Sequence, residues 1–197
     1  MPSTLTKSRP YRSVVVTEPA TEPLTIHEAR RHVEIAATNS DHDVVLYAHI
    51  QAARQQWERD TSRCLIARTM RLTMPDIYEL QFDELPVVSI SSITYYTLGD
   101  TTATLSTSVY SFDSANNQLR LNRSEFWPSF SDRWDAWQIN YIAGAHADST
   151  SVPGIDKQAM LLYVGYLFRG NRGDDDRPND LRAYEALVAR HMRSTYP

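Results

Sequence analysis

The spacing of the apolar residues changes twice along this chain, and that change restricts the folds open to it. Between residues 24 and 61 the apolar residues recur three and four apart, which is the period of an α-helix. From residue 66 to residue 144 they alternate with polar residues, as in β-strands, and after Pro153 the helical spacing returns. The sequence therefore predicts an α+β protein, in which a helical bundle of about four helices, two N-terminal and two C-terminal, carries an inserted antiparallel β block.

A short charged helix and a longer apolar helix are predicted at the start of the ordered chain. Thr25 and Glu28 have the spacing of a capping box, in which each side chain accepts a hydrogen bond from the backbone amide of the other residue. The helix that follows has only a thin apolar edge, made of Ile26, Ala29 and Val33. The second helix begins near Ser40 and carries an apolar stripe from Leu46 to Trp57.

Strands are predicted in the middle of the chain, at residues 66–74, 87–96, 108–113, 118–122 and 136–144. Their links are too short for helical crossovers, so neighbouring strands should run antiparallel. Two helices then end the chain, one from Pro153 to about Phe168 and an amphipathic one that opens around Pro178. The predicted organisation begins with a flexible N-terminal arm at residues 1–23 and a pair of N-terminal helices at residues 24–64. A β insertion follows at residues 65–152, and C-terminal helices with a tail complete the bundle at residues 153–197.

Composition excludes several classes of protein. The formal net charge of −4 lacks the basic excess that tight, non-specific binding to DNA phosphates requires. Cys64 is the only cysteine, so one chain forms neither an intrachain disulfide nor a multi-thiolate metal site. No segment approaches the roughly 20 apolar residues of a transmembrane helix or the apolar core of a signal peptide. We expect an intracellular site of synthesis, no membrane contact, no metal and no cofactor.

Signatures of the common enzyme classes are missing from the sequence. It contains no phosphate-binding loop, dinucleotide-binding turn, nucleophile elbow or His-Glu-x-x-His zinc motif. The acidic run at residues 174–176 lacks the alternating spacing of a calcium loop. An enzyme hypothesis would rest on His146 and Asp148, but no third group of suitable type stands in a recognisable motif. We therefore do not expect an enzyme.

Aromatic residues are numerous, with 11 Tyr and 4 Trp. Three tryptophans, Trp127, Trp134 and Trp137, lie close together in the segment "EFWPSFSDRWDAWQINY". They either pack within the β block or form part of a protein interface, where large amphipathic rings are favoured. An aromatic platform of this kind also favours an alternative function, a β-rich module that binds a glycan or a peptide.

Several ordered blocks of the sequence together resemble the head-tail connector proteins of tailed phages, also called adaptor or head-completion proteins. The blocks are "LTIHEARRHVEI", "DHDVVLYAHIQAARQQWERDTSRCLI", "LPVVSISSITYY", "SVYSFDSANNQLRLN", "WQINYIAGA" and "VPGIDKQAMLLYVGYLFRGNRG". They span roughly residues 24 to 172. The same kind of protein occurs in phage-like gene transfer particles and in defective prophages.

The resemblance implies a helical bundle with a β insertion and a structural, non-enzymatic function. Members of this family form a homo-oligomeric ring, usually twelvefold, beneath the portal protein of the DNA-filled head. The far side of the ring binds the next neck protein, a stopper or tail terminator, and DNA passes through the ring without specific binding. The resemblance thus implies a place in the virion neck after synthesis in the host cytoplasm.

Candidate contact residues lie on the first and last predicted helices. Charges at the rim of an interface set its register, so the charged face of the first helix suits contacts between subunits, although a solvated helix face explains the same pattern. These candidates are Glu28, Arg30, Arg31 and Glu34. Family members commonly dock on the portal through C-terminal elements, and the corresponding candidates here are Arg190, His191, Arg193 and Tyr196.

Overall fold

The computed structural model describes residues 12–170 and 177–195, which form two compact units. The sheet unit consists of residues 12–18 and 68–144. The helical unit consists of residues 19–67 together with the described residues from 145 onward. The helical unit is therefore built from two separate parts of the sequence, and most of the sheet unit is inserted between them.

Seven strands belong to the sheet unit. In chain order they are β1 (Arg12–Thr17), β2 (Arg68–Met74), β3 (Val87–Tyr96), β4 (Thr102–Thr104), β5 (Tyr110–Asp113), β6 (Gln118–Leu121) and β7 (Trp137–Ala143). Five of them form an antiparallel sheet in the order β1-β2-β7-β3-β4, and β5 and β6 form a separate hairpin. A short 3-10 helix, Ile77–Glu79, follows β2. The last strand in sequence, β7, thus occupies the centre of the sheet.

The two faces of the sheet differ because β2 and β7 alternate in polarity. Leu72 lies opposite Ile139, and both side chains are fully buried. On the other face Arg71 Nε donates a hydrogen bond to Asn140 Oδ1 at 3.0 Å, and Asn140 Nδ2 donates to Ser92 Oγ at 3.0 Å. One face therefore supplies the core of the unit, while the other carries a polar network.

Four α-helices form the helical unit, namely α1 (Ile26–His32), α2 (Asp43–Thr61), α3 (Gly154–Gly170) and α4 (Arg177–Thr195). Its core takes most of its residues from α2 and α3, including Leu46, Ile50, Ala53, Trp57, Ala159, Met160, Val164 and Phe168. Apolar side chains cover most of the surface of α3, and this helix contacts each of the other three. The thin first helix can therefore bury its narrow apolar edge against partners that the rest of the bundle supplies.

Gly165 allows α3 to approach both α1 and α4 closely. A Cβ atom at this position would lie 2.9 Å from Asp180 Oδ2 and 3.1 Å from His32 Nε2. Arg169 Nη1 donates to the same Asp180 oxygen at 2.7 Å. The absence of a side chain at Gly165 thus leaves room for an ion pair that joins α3 to α4.

The predicted α+β class, with four helices and an antiparallel sheet, is confirmed. The flexible arm predicted for residues 1–23 is wrong for residues 12–17, which form β1 and pair with β2. Three successive β-branched residues, Val14 to Val16, favour an extended backbone, and β2 provides a strand edge with which they pair. Residues 1–11 of the predicted arm lie outside the described residues.

The inserted segment is shorter than the predicted β insertion of residues 65–152, since the sheet unit takes up residues 68–144. The flanking residues are held in the helical unit by backbone hydrogen bonds. The Ala145 amide donates to the Cys64 carbonyl at 3.0 Å, and the Ala67 amide donates to the His146 carbonyl at 2.8 Å. An alternation of apolar and polar residues does not reveal such backbone bonds. The predicted insertion therefore extends beyond the sheet unit at both of its ends.

Candidate interaction surfaces

Glu28, one of the predicted subunit contacts, binds within its own chain. Its carboxylate accepts hydrogen bonds from the Thr25 amide at 2.7 Å and from the Thr25 hydroxyl at 2.8 Å, and the predicted capping box is present. Lys157 Nζ of α3 lies 2.9 Å from Glu28 Oε1. Burial acts to raise the pKa of Glu28, but the hydrogen bonds from Thr25 and Lys157 together lower it. Glu28 thus joins α1 to α3.

Arg30 closes the turn between α1 and α2. Its Nε donates to Asp43 Oδ1 at 2.7 Å, and its Nη2 donates to the second carboxylate oxygen of Asp43. Its Nη1 donates to the Ala37 carbonyl at 2.7 Å. The hydrogen bonds between the two side chains lower the pKa of Asp43 and raise the pKa of Arg30. The charge of Arg30 is therefore already matched within the chain.

Arg31 and Glu34 are the two predicted contacts on α1 that remain open to a partner. Both are exposed, and Arg31 forms no ion pair or side-chain hydrogen bond with another described residue. Glu34 has a φ of 60° and ends the helix in a Schellman motif, because the Ile35 amide donates to the Arg30 carbonyl at 2.9 Å and the Glu34 amide donates to the Arg31 carbonyl at 3.3 Å. The end of α1 thus presents one cation and one anion outward.

The predicted portal-docking residues occupy different environments on α4. Arg190 is exposed. His191 instead packs against the bundle, with its ring edge-to-face on Trp57 at a centroid distance of 5.3 Å. The side chain of Arg193 and the whole of Tyr196 lie outside the described residues. Arg190 is thus the described member of this set that is available for an intermolecular contact.

Asp156, in the first turn of α3, lies beneath His191. The distance from His191 Nδ1 to Asp156 Oδ1 is 3.7 Å. Burial raises the pKa of Asp156, although the nearby charges of His191, His146 and Arg63 act in the opposite direction. This contact ties the second half of α4 to the start of α3.

A buried ion network that the sequence pattern does not predict holds α2 in the bundle. Arg54 Nε donates to Glu22 Oε2 at 2.8 Å, and Arg54 Nη1 donates to Glu58 Oε2 at 3.2 Å. The Leu65 amide donates to Glu58 Oε1 at 2.8 Å. The side chains of Arg54, Glu22 and Glu58 are only 3%, 8% and 7% exposed. The four-residue spacing of Arg54 and Glu58 is visible in the sequence, but nothing local marks Glu22 as their partner.

The exposed face at the start of α2 has the opposite character, because it is apolar and uncharged. Val44 is 86% exposed and Tyr47 is 52% exposed. Ala48, one turn after Val44, is also exposed. From residue 44 to residue 56 the one Asp, Glu, Lys or Arg is Arg54, which is buried. A surface helix normally places its charges outward and its apolar residues inward. We call Val44, Tyr47 and Ala48 the α2 knob.

A groove of about 430 Å³ lies on the helical unit between α3, α4 and the C-terminal half of α2. Its apolar lining includes Tyr163, Tyr166, Leu181, Val188 and Ala189, and two acidic residues, Asp60 and Glu185, also line it. The Tyr184 hydroxyl donates to Asp60 Oδ2 at 2.6 Å, and burial together with this bond raises the pKa of Tyr184. The ring of Tyr163 packs on Tyr184 at a centroid distance of 4.9 Å. These contacts fix the wall of the groove, which we call the tyrosine groove.

The aromatic segment of the sheet unit divides into a packed part and an exposed part. Trp137 is fully buried, and three other rings surround it at centroid distances of 5.1, 5.9 and 5.4 Å, those of Tyr95, Trp127 and Phe130. Phe126 and Trp134 are instead 82% and 73% exposed. Trp127 and Trp137 therefore serve the packing of the unit, while Phe126 and Trp134 are the exposed aromatic residues of this segment.

The residues of the enzyme hypothesis have structural contacts. Asp148 accepts hydrogen bonds from the Thr150 hydroxyl at 2.6 Å, the Thr150 amide at 2.8 Å and the Ser151 amide at 3.3 Å, and these bonds lower its pKa. The backbone of His146 pairs with that of Ile66. Within residues 12–170 and 177–195, His, Cys, Asp and Glu form no group of three or more suited to a metal ion. In that same part of the chain, none of the helices combines the length and apolar character of a membrane span.

Known structures with the same arrangement of helices and strands come from gene transfer agent (GTA) particles. A chain in the neck of an empty GTA particle, computed with C6 symmetry, superposes with a TM-score of 0.65 and 19% identity over 80% of this chain and 84% of that chain. This chain has the fold of a GTA neck component. A chain in the neck of the native particle, computed with C12 symmetry, gives a TM-score of 0.64 and 18% identity over 80% of this chain and 83% of that one.

A chain in the virion of the native gene transfer agent particle is similar to the same degree. Its TM-score is 0.64, with 19% identity over 80% of this chain and 84% of that chain. No protein-family model and no curated protein matches the chain. The likeness therefore concerns the fold, and it agrees with the fold expected from the head-tail connector resemblance.

Proposed function

We propose that this chain is a structural head-tail connector (adaptor) subunit of a tailed phage or phage-like particle. The observation that carries the proposal is the shared fold with chains of GTA necks, which extends over four fifths of this chain. The resemblance of the ordered sequence blocks supports the same class independently of the fold. In this function the protein acts by its geometry in the virion neck and catalyses no reaction.

In the proposed assembly twelve copies form a ring beneath the portal protein of the DNA-filled head. A stopper or tail terminator binds the opposite side of the ring, and the ring continues the DNA channel. The C6 and C12 symmetries of the similar necks support a closed ring of repeated subunits. The net charge of −4 suits a channel that DNA crosses without specific binding, because attraction to phosphates requires a basic surface.

Contacts between neighbouring subunits include the exposed end of α1 in this proposal. Arg31 and Glu34 are its contact residues, since both are exposed. Glu28 and Arg30 support these contacts indirectly. The ion pair of Glu28 with Lys157 holds α1 against α3, and that of Arg30 with Asp43 holds α1 against α2. Reversal of Arg31 therefore tests the interface, whereas reversal of Arg30 would first disturb the turn after α1.

Portal docking is assigned to the C-terminal part of α4 and the residues after it, with Arg190, His191, Arg193 and Tyr196 as contacts. Arg190→Glu is a sharper test than truncation after Ala189, because truncation would also remove the packing of His191 on Trp57. We expect Arg190→Glu to weaken copurification with the portal protein while the thermal unfolding of the chain is unchanged. Wild-type copurification of this variant would place the docking element elsewhere.

Electron microscopy of the chain copurified with its portal protein tests the function itself. We expect a ring on one side of the portal, and we expect the chain in the neck of mature particles. Particles assembled without the chain should be filled heads that lack tails. Absence of the chain from mature particles, or tailed particles in its absence, would contradict the proposal.

A further inference from the structure

We propose that the α2 knob of one copy inserts into the tyrosine groove of a second copy of this chain. This inference rests on the proposed ring function, which requires two complementary surfaces on each subunit but does not say which they are. The knob and the groove are both on the helical unit. The knob is exposed and uncharged, and the groove is lined largely by aromatic and aliphatic side chains.

The knob has the composition of an interface rather than that of a solvated helix face. Val44 exposes 86% of its surface, and Tyr47 exposes 52% next to it on the same side of α2. The centres of protein interfaces are depleted in charged residues and enriched in tyrosine. From residue 44 to residue 56 the one Asp, Glu, Lys or Arg, Arg54, is buried, so the usual distribution of polarity is reversed in this part of α2. A partner that covers the knob removes apolar surface from water, and the knob itself contributes no buried charge.

The groove is shaped before any partner arrives. Tyr184 is 2% exposed and is held by its hydrogen bond to Asp60, and Tyr163 packs on Tyr184. A groove whose walls are already ordered loses little conformational entropy on binding. Tyr163 and Tyr166 remain partly exposed along it, so their rings can contact an inserted apolar side chain.

The positions of the knob and the groove along α2 exclude a contact within one copy, and the repeated subunits of the similar necks favour a second copy as the occupant. Val44 and Asp60 are 16 residues apart in the sequence, which corresponds to about 24 Å along the helix axis and about 160° around it. The knob and the groove thus lie at opposite ends and on nearly opposite sides of the helix, and one copy cannot fill its own groove. Contacts made in this way run head to tail and close into a ring when the rotation per subunit fits.

Two substitutions test the knob and the groove separately. Val44→Lys places a charge on the knob, and Ala189→Trp places a bulky ring at the groove, and both positions are exposed, so the fold is kept. The matched controls are Ile155→Lys, at a half-exposed apolar position on α3, and Ala186→Trp, an exposed position on α4 that does not line the groove. Thermal unfolding of each variant confirms that the bundle is intact.

Self-association is measured by sedimentation velocity, for the chain alone and for the chain bound to its portal protein. We expect the wild type and both controls to form oligomers, and Val44→Lys and Ala189→Trp each to weaken association about tenfold or more. In an equal mixture of the two variants, Val44→Lys supplies an intact groove and Ala189→Trp supplies an intact knob, so each pair can form one contact. The mixture should therefore yield dimers and no larger species.

Several results would overturn the inference. Oligomers of Val44→Lys equal to the wild type would exclude the knob, and a mixture that remains monomeric would show that the knob and the groove do not pair. A wild-type chain that stays monomeric both alone and on the portal would exclude contacts between copies. Loss of portal binding by Val44→Lys with intact rings would assign the knob to the portal. Portal copurification of the wild type is scored separately, so failure of the connector function is distinguished from failure of this contact.

Discussion

The interiors of the two units are built on different chemistry. The helical unit contains polar links between its elements, namely Arg54 with Glu22 and Glu58, Glu28 with Lys157, Arg169 with Asp180, and Tyr184 with Asp60. The core of the sheet unit consists of large apolar and aromatic side chains from β2, β7 and the segments packed on them. Ion pairs and side-chain hydrogen bonds thus join the elements of the helical unit around its apolar core, whereas in the sheet unit large apolar and aromatic side chains fill the core.

This difference follows from how much apolar surface each element supplies. The alternating strands β2 and β7 each bury one full face, so packing alone can define the sheet unit. The short helix α1 has one fully buried residue, Ala29, so its position relies on the ion pairs at its two ends. Directional bonds define where a small element sits, while non-directional burial supplies most of the stability.

The largest expected effect is that of Arg54→Ala in the helical unit. Removing the guanidinium leaves Glu22 and Glu58 buried without their cation. We expect the free energy of unfolding to fall by about 3–5 kcal/mol, measured by urea denaturation followed by far-UV circular dichroism. Arg59→Ala, an exposed arginine on the same helix, is the control and should have little effect. Equal midpoints for the two variants would show that the network contributes no net stability.

Leu72→Ala tests the apolar core of the sheet unit. Leu72 is fully buried against β7, and its truncation should cost about 3 kcal/mol. Leu72→Met keeps most of the volume and should cost less than about 1.5 kcal/mol. Hydrogen exchange of the β2 and β7 amides measures the change within this unit. If both variants lower the protection of these amides equally, the volume of the side chain at position 72 does not determine the stability of the sheet unit.

Arg30→Gln and Arg31→Gln compare two adjacent arginines in different environments. Arg30→Gln should lower the melting temperature, because it removes the paired bonds to Asp43 and the bond to the Ala37 carbonyl. Arg31→Gln should leave the melting temperature unchanged, since Arg31 is exposed. Differential scanning calorimetry of the two variants decides the point. The reverse ranking would contradict the contacts described for α1.

Acidification should affect the two units unequally. All six histidines lie in the helical unit. Burial lowers the pKa of His32 and of His49, and for His32 the opposing charge of Asp180 does not outweigh it. The unfolded state therefore binds protons first, so the helical unit is most stable above about pH 6.5 and loses stability as the pH falls below that value. Hydrogen exchange at about pH 7.5 and about pH 5.5 should show weaker protection in α1 and α2 at the lower pH.

His32→Gln provides the control for that pH dependence. It removes the ionisable group beside Gly165 and Asp180 and should make the protection of α1 less sensitive to pH. The amides of β2 and β7 should be unaffected by pH in this range beyond the intrinsic change in exchange rate. A similar loss of protection in both units would mean that carboxylates rather than histidines control the transition.

The smallest expected effect is a gain in stability from Glu34→Gly. Glu34 holds a φ of 60°, which a residue with a Cβ adopts at a cost. Glycine at this position should raise the free energy of unfolding by about 0.5–1 kcal/mol. Glu34→Ala removes the same charge without removing the strain and should give no such gain. Thermal unfolding of the pair therefore separates the backbone effect from the charge effect.

The local parts of this fold were predictable from the sequence, and the long-range parts were not. The capping box of Thr25 and Glu28 involves neighbours three residues apart, and the alternation in β2 is read from successive residues, so both predictions hold. The pairing of Arg54 with Glu22 joins residues 32 apart in sequence, and no local pattern specifies it. The central place of β7 in the sheet likewise depends on partners distant in the chain.

The interaction surfaces were predictable only in part. The charges on α1 are visible in the sequence, but their partners in space are not, and two of the four predicted contact residues, Glu28 and Arg30, also form ion pairs within the chain. The knob was missed because Val44 and Tyr47 have the same apolar character as the buried stripe of α2. The absence of charges from residues 44 to 53 was the available signal. The tyrosine groove combines residues from three helices and has no signature in any one of them.

The chain leaves and re-enters the helical unit at one place, where Ile66 and His146 form a parallel bridge. Because the two ends of the inserted segment are neighbours, that segment can lengthen, shorten or be exchanged during evolution without separating α2 from α3. A replacement would also have to provide an edge for β1, which lies outside the inserted segment and pairs with β2.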